Sequence, residues 1–180
     1  KEVVEGEFKA INILVNNAGI YLEEKPVVDM PVADWDETIN TDLRGMFLTV
    51  KHLGNMIQRE PKGKIINISS EISLLGREGG AHYCAAKCAV NGFTKSIALE
   101  FAPDILVNAI APGPVETDMI MAYDDPQWIQ NEKDAIPLKR FGTVEEIAAL
   151  AVLLASDDGN LFCGQLISPN GRPVFYNRTR

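Results

Sequence analysis

Three short apolar runs, rich in β-branched residues, constrain the fold of this chain more than any other feature. They are Ile11-Asn12-Ile13-Leu14-Val15, Lys64-Ile65-Ile66-Asn67-Ile68 and Ile105-Leu106-Val107-Asn108-Ala109-Ile110. Near-continuous runs of this kind predict strands buried on both faces. Between them, apolar residues recur at helical spacing. Trp35, Ile39, Leu43, Met46, Phe47, Val50, Leu53 and Ile57 mark a long helix, opened by Pro31 or Ala33, running to about Arg59 and stopped by Pro61 and Gly63. A second long helix is expected over 81–101, ended by Pro103. A third spans 143–155, with Thr143 at its N-cap and Glu145-Glu146 in the first turn, where acidic side chains suit the helix dipole. Residues 1–9 read as the tail of a helix. Asp124-Asp125-Pro126 is expected to cap a short helix over 127–133, and Gln165-Leu166-Ile167 reads as a last strand before a polar, Pro-broken tail. No internal repeat is evident. Strands alternating with helices predict an α/β fold, a doubly wound parallel sheet in one domain over 1–180.

Composition narrows the partners. With 180 residues, 46% of them hydrophobic and 23% charged, the chain can bury one sizeable core. A formal net charge of -8, and no basic cluster longer than Lys139-Arg140, argue against nucleic acid or an anionic membrane surface. No apolar run reaches the length of a membrane span, and the charged stretch 1–9 is not a signal peptide. Cys84, Cys88 and Cys163 do not make a disulfide framework, so a cytoplasmic, reducing location is expected.

In open parallel sheets, ligands bind beyond the carboxyl ends of the strands. Asn16-Asn17-Ala18-Gly19, Ser69-Ser70 and Pro112-Gly113 each follow a strand directly, so three strand ends should converge on one crevice. Beside them, His82-Tyr83-Cys84-Ala85-Ala86-Lys87 opens the second long helix, placing Tyr83 and Lys87 on one face, a turn apart. A lysine ammonium near a phenol favours the phenolate, lowering the tyrosine pKa from its reference near ~10. A serine at the preceding strand end can hold a carbonyl or alcohol oxygen against the phenol for proton transfer. Ser69 and Ser73 rival Ser70 for that role. Cys84, Cys88 and His82 lack a fourth ligand, so no metal site is expected.

Together these residues resemble the short-chain dehydrogenase/reductase family. Asn16-Asn17-Ala18-Gly19 matches its NNAG, Ser70 lies thirteen residues before Tyr83 as in the family, and Tyr83-x-x-x-Lys87 matches its catalytic pair. Val107-Asn108-Ala109-Ile110-Ala111-Pro112-Gly113 matches its cofactor-side strand and PG turn, and the segment 164–171 resembles its closing strand. The resemblance implies a Rossmann-type fold and an oxidoreductase exchanging hydride between NAD or NADP and a secondary alcohol or ketone. Tyr83 would exchange the proton, Ser70 orient the substrate oxygen, and Lys87 tune Tyr83 and hold the nicotinamide ribose. Asn17, Ala18 and Gly19 would line the adenosine side of the cofactor; Pro112, Gly113, Val115 and Thr117 would contact its nicotinamide end. The segment 115–141 corresponds to the family's substrate loop, and its Met119, Met121, Tyr123 and Trp128 suggest an apolar lid.

Two departures from the family pattern stand out. No glycine-rich phosphate turn precedes the first strand, so the fold is expected to be incomplete at its N-terminus and the chain to be the C-terminal portion of a longer protein. The family's helix asparagine, which supports a water chain to the lysine, is replaced by Asp42. Asn40 lies two residues earlier, roughly 200° around an α-helix, and cannot substitute. Asp42 is therefore expected to alter the proton relay. The two long helices imply a homo-oligomer, a dimer or a tetramer of dimers. Within the family, a 3-oxoacyl carrier-protein reductase and a sugar or polyol dehydrogenase fit comparably. The reductase needs basic docking surface, for which the chain offers Lys62, Lys64, Lys139 and Arg140. The alternative is a non-catalytic remnant or oligomeric scaffold that binds no dinucleotide.

Overall fold

The computed structural model describes residues 2–57, 62–121 and 125–173. A short helix α1 (Glu2–Glu7) precedes strand β1 (Ile13–Asn16). The long helical stretch that follows is composite: α2 (Val32–Thr38), a π-helical segment (Ile39–Arg44), α3 (Gly45–Leu53) and a 3-10 turn (Gly54–Met56). Its expected end at Arg59 and Pro61 lies outside the described residues. Strand β2 (Gly63–Ile68), the one-turn helix α4 (Ile72–Leu75), helix α5 (Ala81–Phe101) and strand β3 (Ile105–Ile110) come next. The loop after β3 carries α6 (Asp118–Met121) and α7 (Pro126–Ala135), and α8 (Val144–Ala155) and β4 (Leu166–Ile167) complete the order.

All four strands are parallel, in the order β1-β2-β3-β4. Successive residues of β2 and β3 face opposite layers. Ile65, Ile105 and Val107 pack with Val50 of α3 and Ile97 and Ala98 of α5, whereas Ile66 and Ile110 pack with Leu154 of α8. The sheet is thus covered on both faces at β2 and β3. At β1 the expectation of burial on both faces is corrected: Leu14 joins the core, but Ile13 and Val15 are 44% and 47% exposed. β1 lies at one edge of the four-stranded sheet and alternates like an edge strand.

The π segment has a physical reason. Thr38, Asp42, Met46 and Val50 are buried at a strict spacing of four, and on an α-helix each such step drifts by about 40°. A wider turn, in which the Gly45 N–H donates to the Asn40 carbonyl, takes up that drift and keeps all four pointing at the core. Helix ends follow the expected chemistry. Asp125 accepts from the N–H groups of Gln127 and Trp128 at the start of α7, while Asp124 lies outside the described residues. Thr143 and Glu146 form a reciprocal capping box on α8. No described helix is long and apolar enough to cross a membrane.

Candidate active site

The carboxyl ends of β2 and β3 open onto a cleft of about 750 Å³, whose wall includes Ser70, Tyr83, Gly113, Val115 and Thr117. Geometry separates Ser70 from its rivals. The Ser69 hydroxyl is buried and donates to the Asn91 side chain at 2.6 Å, and the Ser73 hydroxyl donates to the Ser70 carbonyl at 2.6 Å. Ser70 Oγ, which accepts from the Ile72 N–H at 3.3 Å, is the one that faces the cleft.

Tyr83 is half-buried, with the Tyr21 ring set edge-on at 4.8 Å between centroids. Lys87, one turn on, is buried, its Nζ 5.2 Å from the centre of the Tyr83 ring. Its ammonium donates to the Ile68 carbonyl at 3.2 Å and lies 3.2 Å from Asp42 Oδ2. Asp42 is fully buried, and its Oδ1 accepts from the Ile20 N–H at 2.8 Å. Asn40 is exposed on the other side of the helix, so it does not replace Asp42.

This ion pair changes the electrostatics expected of Tyr83. The phenol is pushed up to about 12, first by burial and then by the Asp42 carboxylate, against a smaller pull from the Ser70 hydroxyl. The downward shift expected from Lys87 is not what the site shows, because burial, and after it the Asp42 carboxylate, raise the phenol. Lys87 itself is lowered by burial, and Asp42 works against that shift.

The loop after β1 supports this pair from behind. A Cβ on Gly19 would stand 3.2 Å from Lys87 Nζ and 3.3 Å from Asp42 Oδ2, so glycine there is a matter of room. Asn17 and Ala18 are exposed beyond the end of β1 and form no wall of the cleft. Asn16 is structural: its Nδ2 donates to Asn67 at 2.8 Å, Thr49 donates to its Oδ1 at 2.5 Å, and Asn67 donates on to Thr94. On the opposite side, the Pro112 carbonyl accepts from the Glu71 N–H at 2.8 Å. A Cβ on Gly113 would meet Asn170 at 2.8 Å, which locks the turn after β3 against the end of β4.

Several cleft residues escaped sequence reasoning, among them Tyr21, Glu24, Glu71, Arg77, Glu78 and Arg172. Glu71 directly follows the Ser69-Ser70 pair, the one signal that pointed to it. Three of the four basic residues considered for carrier docking are engaged elsewhere, Lys139 by donating to the Asp134 carbonyl at 2.6 Å. Lys64 is buried and donates to Asn160 Oδ1 at 2.7 Å, and the Arg140 guanidinium is clasped by both oxygens of Glu146.

The family model described as enoyl-(acyl carrier protein) reductase matches residues 1–171. The chain belongs to the NAD(P)-dependent short-chain dehydrogenase/reductase family. It is 40% identical over 162 residues to the 3-oxoacyl-[acyl-carrier-protein] reductase of Aquifex aeolicus, covering 89% of this chain and 64% of that one. It is 39% identical over 171 residues to the Buchnera aphidicola reductase of the same name, covering 94% and 69%. The chain thus spans about two thirds of the length of these relatives. Among solved structures, the ligand-free aldohexose dehydrogenase of Thermoplasma acidophilum superposes with a TM-score of 0.91 at 27% identity, over 99% of this chain and 74% of that one. A short-chain glucose/ribitol dehydrogenase of Brucella melitensis gives 0.88 at 30% identity, over 98% and 70%.

The residues present fit the nicotinamide end of a dinucleotide. Lys87 has a third N–H beyond those directed at Asp42 and Ile68. Tyr83, Gly113, Val115 and Thr117 share the cleft wall in front of it.

Proposed function

We propose that this site moves a proton between Tyr83 and the oxygen of a secondary alcohol or ketone, coupled to hydride exchange with NAD or NADP. The observation that carries the reading is the Ser70–Tyr83 wall of the cleft with the Asp42–Lys87 pair buried behind it. A phenol held at about 12 is protonated at neutral pH, so the resting site is set as an acid. In the reductive direction Tyr83 gives its proton to the substrate oxygen as negative charge develops there, while the Ser70 hydroxyl donates a hydrogen bond that holds that oxygen in place. The phenolate left behind is stabilised by the Lys87 ammonium, which Asp42 and the Ile68 carbonyl keep in position. In the oxidative direction the phenolate takes the alcohol proton. The dinucleotide, when bound, supplies or takes up the hydride. Its nicotinamide end would be held by Lys87 with Pro112, Gly113, Val115 and Thr117, and its adenosine side would lie by Asn17, Ala18 and Gly19.

Tyr83→Phe tests the assignment. Turnover is expected to fall by roughly 10²–10⁴-fold, with NADH or NADPH binding retained by fluorescence titration. Wild-type turnover in the variant sinks the proton-transfer role. Absence of binding by either dinucleotide favours a non-catalytic scaffold.

A further inference from the structure

Three side chains of α5 reach across to the turn that carries Ser70. Cys84, Cys88 and Asn91 are spaced i, i+4 and i+7, within about 60° of one another around an α-helix. The Cys84 thiol donates to the Ile72 carbonyl at 3.4 Å and the Cys88 thiol to the Ser73 carbonyl at 3.2 Å, both weak hydrogen bonds. Asn91 makes the stronger contact. Its Oδ1 accepts from the Ser69 hydroxyl at 2.6 Å, and its Nδ2 donates to the Ser73 hydroxyl at 2.8 Å. Ser73 in turn donates to the Ser70 carbonyl twice, from its hydroxyl at 2.6 Å and from its N–H at 3.1 Å. One carboxamide thus bridges the residue before Ser70 and the residue three after it.

The bridge matters because Ser70 and Tyr83 stand on different elements. Ser70 lies on the turn after β2, whereas Tyr83 belongs to α5, as do Lys87 and Asn91 on its next two turns. Whatever ties the turn to α5 sets the distance between the hydroxyl that orients the substrate oxygen and the phenol that exchanges its proton. An error of about 1 Å in such a placement can cost roughly 100-fold in rate. Asn91 and Ser73 form no part of the cleft wall, so any effect they have on the reaction passes through Ser70. We propose that Asn91 is a positioning residue, clamping the Ser69–Ser73 turn to α5 so that the Ser70 hydroxyl stays in register with Tyr83. This deepens the reading of Ser70 and Tyr83 as the proton-transfer site and rests on it.

The test measures kcat and KM with NADH and NADPH on an acetoacetyl thioester, and with the oxidised dinucleotides on a simple secondary alcohol. The proteins are the wild type, Asn91→Ala, Ser70→Ala and the double variant. Asn91→Ala is expected to lower kcat roughly tenfold or more and to leave KM for the dinucleotide as in the wild type. In the Ser70→Ala background it should cost nothing further, because a residue that acts only through Ser70 then has nothing left to position. An unchanged kcat overturns the proposal, as does a loss that multiplies that of Ser70→Ala. Ser73→Ala breaks the same bridge at its other end and replaces Asn91→Ala if that variant does not fold. Amide exchange read by mass spectrometry, without substrate, is the independent arm: peptides covering 69–75 should exchange faster in Asn91→Ala while α8 keeps its wild-type rates, and an unaltered turn overturns the clamp. A wild-type rate in Ser70→Ala or Tyr83→Phe, or turnover of neither substrate by the wild type, would sink the proton-transfer reading instead, and the exchange arm would then decide the clamp by itself.

Discussion

At the level of single residues, the site turns on Asp42. Its carboxylate holds the Lys87 ammonium at 3.2 Å and at the same time raises the phenol of Tyr83. Asp42→Asn removes the second of the two causes that push Tyr83 up, so the rising limb of the pH–rate profile for alcohol oxidation is expected to move to lower pH. On that limb, turnover should gain about tenfold for each unit by which the phenol falls. The same change withdraws what opposes the burial-driven lowering of Lys87, so the lysine should lose its proton at lower pH as well and the profile should narrow. An unmoved profile would show that Asp42 does not act through Tyr83. Gly19→Ala tests the same pair from behind: its Cβ would crowd both partners, and a drop in kcat without loss of fold by circular dichroism is expected. Ser70, Tyr83 and Lys87 could be singled out only through the spacing of the family's motifs, since the strand end alone left Ser69 and Ser73 as rivals. The Glu71–Arg172 ion pair was not legible, since it joins residues from distant parts of the chain that only the sheet brings together.

Among the elements, α8 is the most locally determined. Its capping box satisfies N–H groups that the helix itself cannot, and the acidic first turn agrees with the dipole. Thr143→Ala is expected to cost about 1 kcal/mol in denaturant unfolding; no change in midpoint would mean that Glu146 and Arg140 hold the terminus unaided. By contrast, α7 is tied down from outside, through Arg77 to Glu132. Arg77→Met should raise KM more than it lowers kcat and speed amide exchange in α7, and unaltered exchange would remove Arg77 as the tether. The bounds of α5 and β3 follow directly from Pro103 and the apolar runs. The π segment was not readable, because residue spacing alone does not say whether a strict repeat of four is met by a wider turn or by a drifting face.

For the molecule as a whole, the parallel α/β plan was legible from strand and helix alternation. The long helices leave apolar groups in water: Phe47 is 44% exposed and Leu99 86%. Phe47 and Phe93 stand 6.5 Å apart across α3 and α5. We propose that these helices pair between copies of the chain, and sedimentation is expected to show a dimer or tetramer; a monomer at micromolar concentration removes that expectation.

The all-parallel sheet also sets the order of events when the chain folds. Parallel neighbours cannot be joined by a tight hairpin, and the Asn16–Asn67 bond across β1 and β2 already closes a loop of 51 positions. Because loop entropy must be overcome before such contacts reward it, high contact order slows folding. The Glu71 N–H can reach the Pro112 carbonyl, and Arg172 the Glu71 carboxylate, only once β2, β3 and β4 lie in register. The cleft should therefore be among the last parts to form during refolding, and its assembly a sensitive clock for the completed sheet.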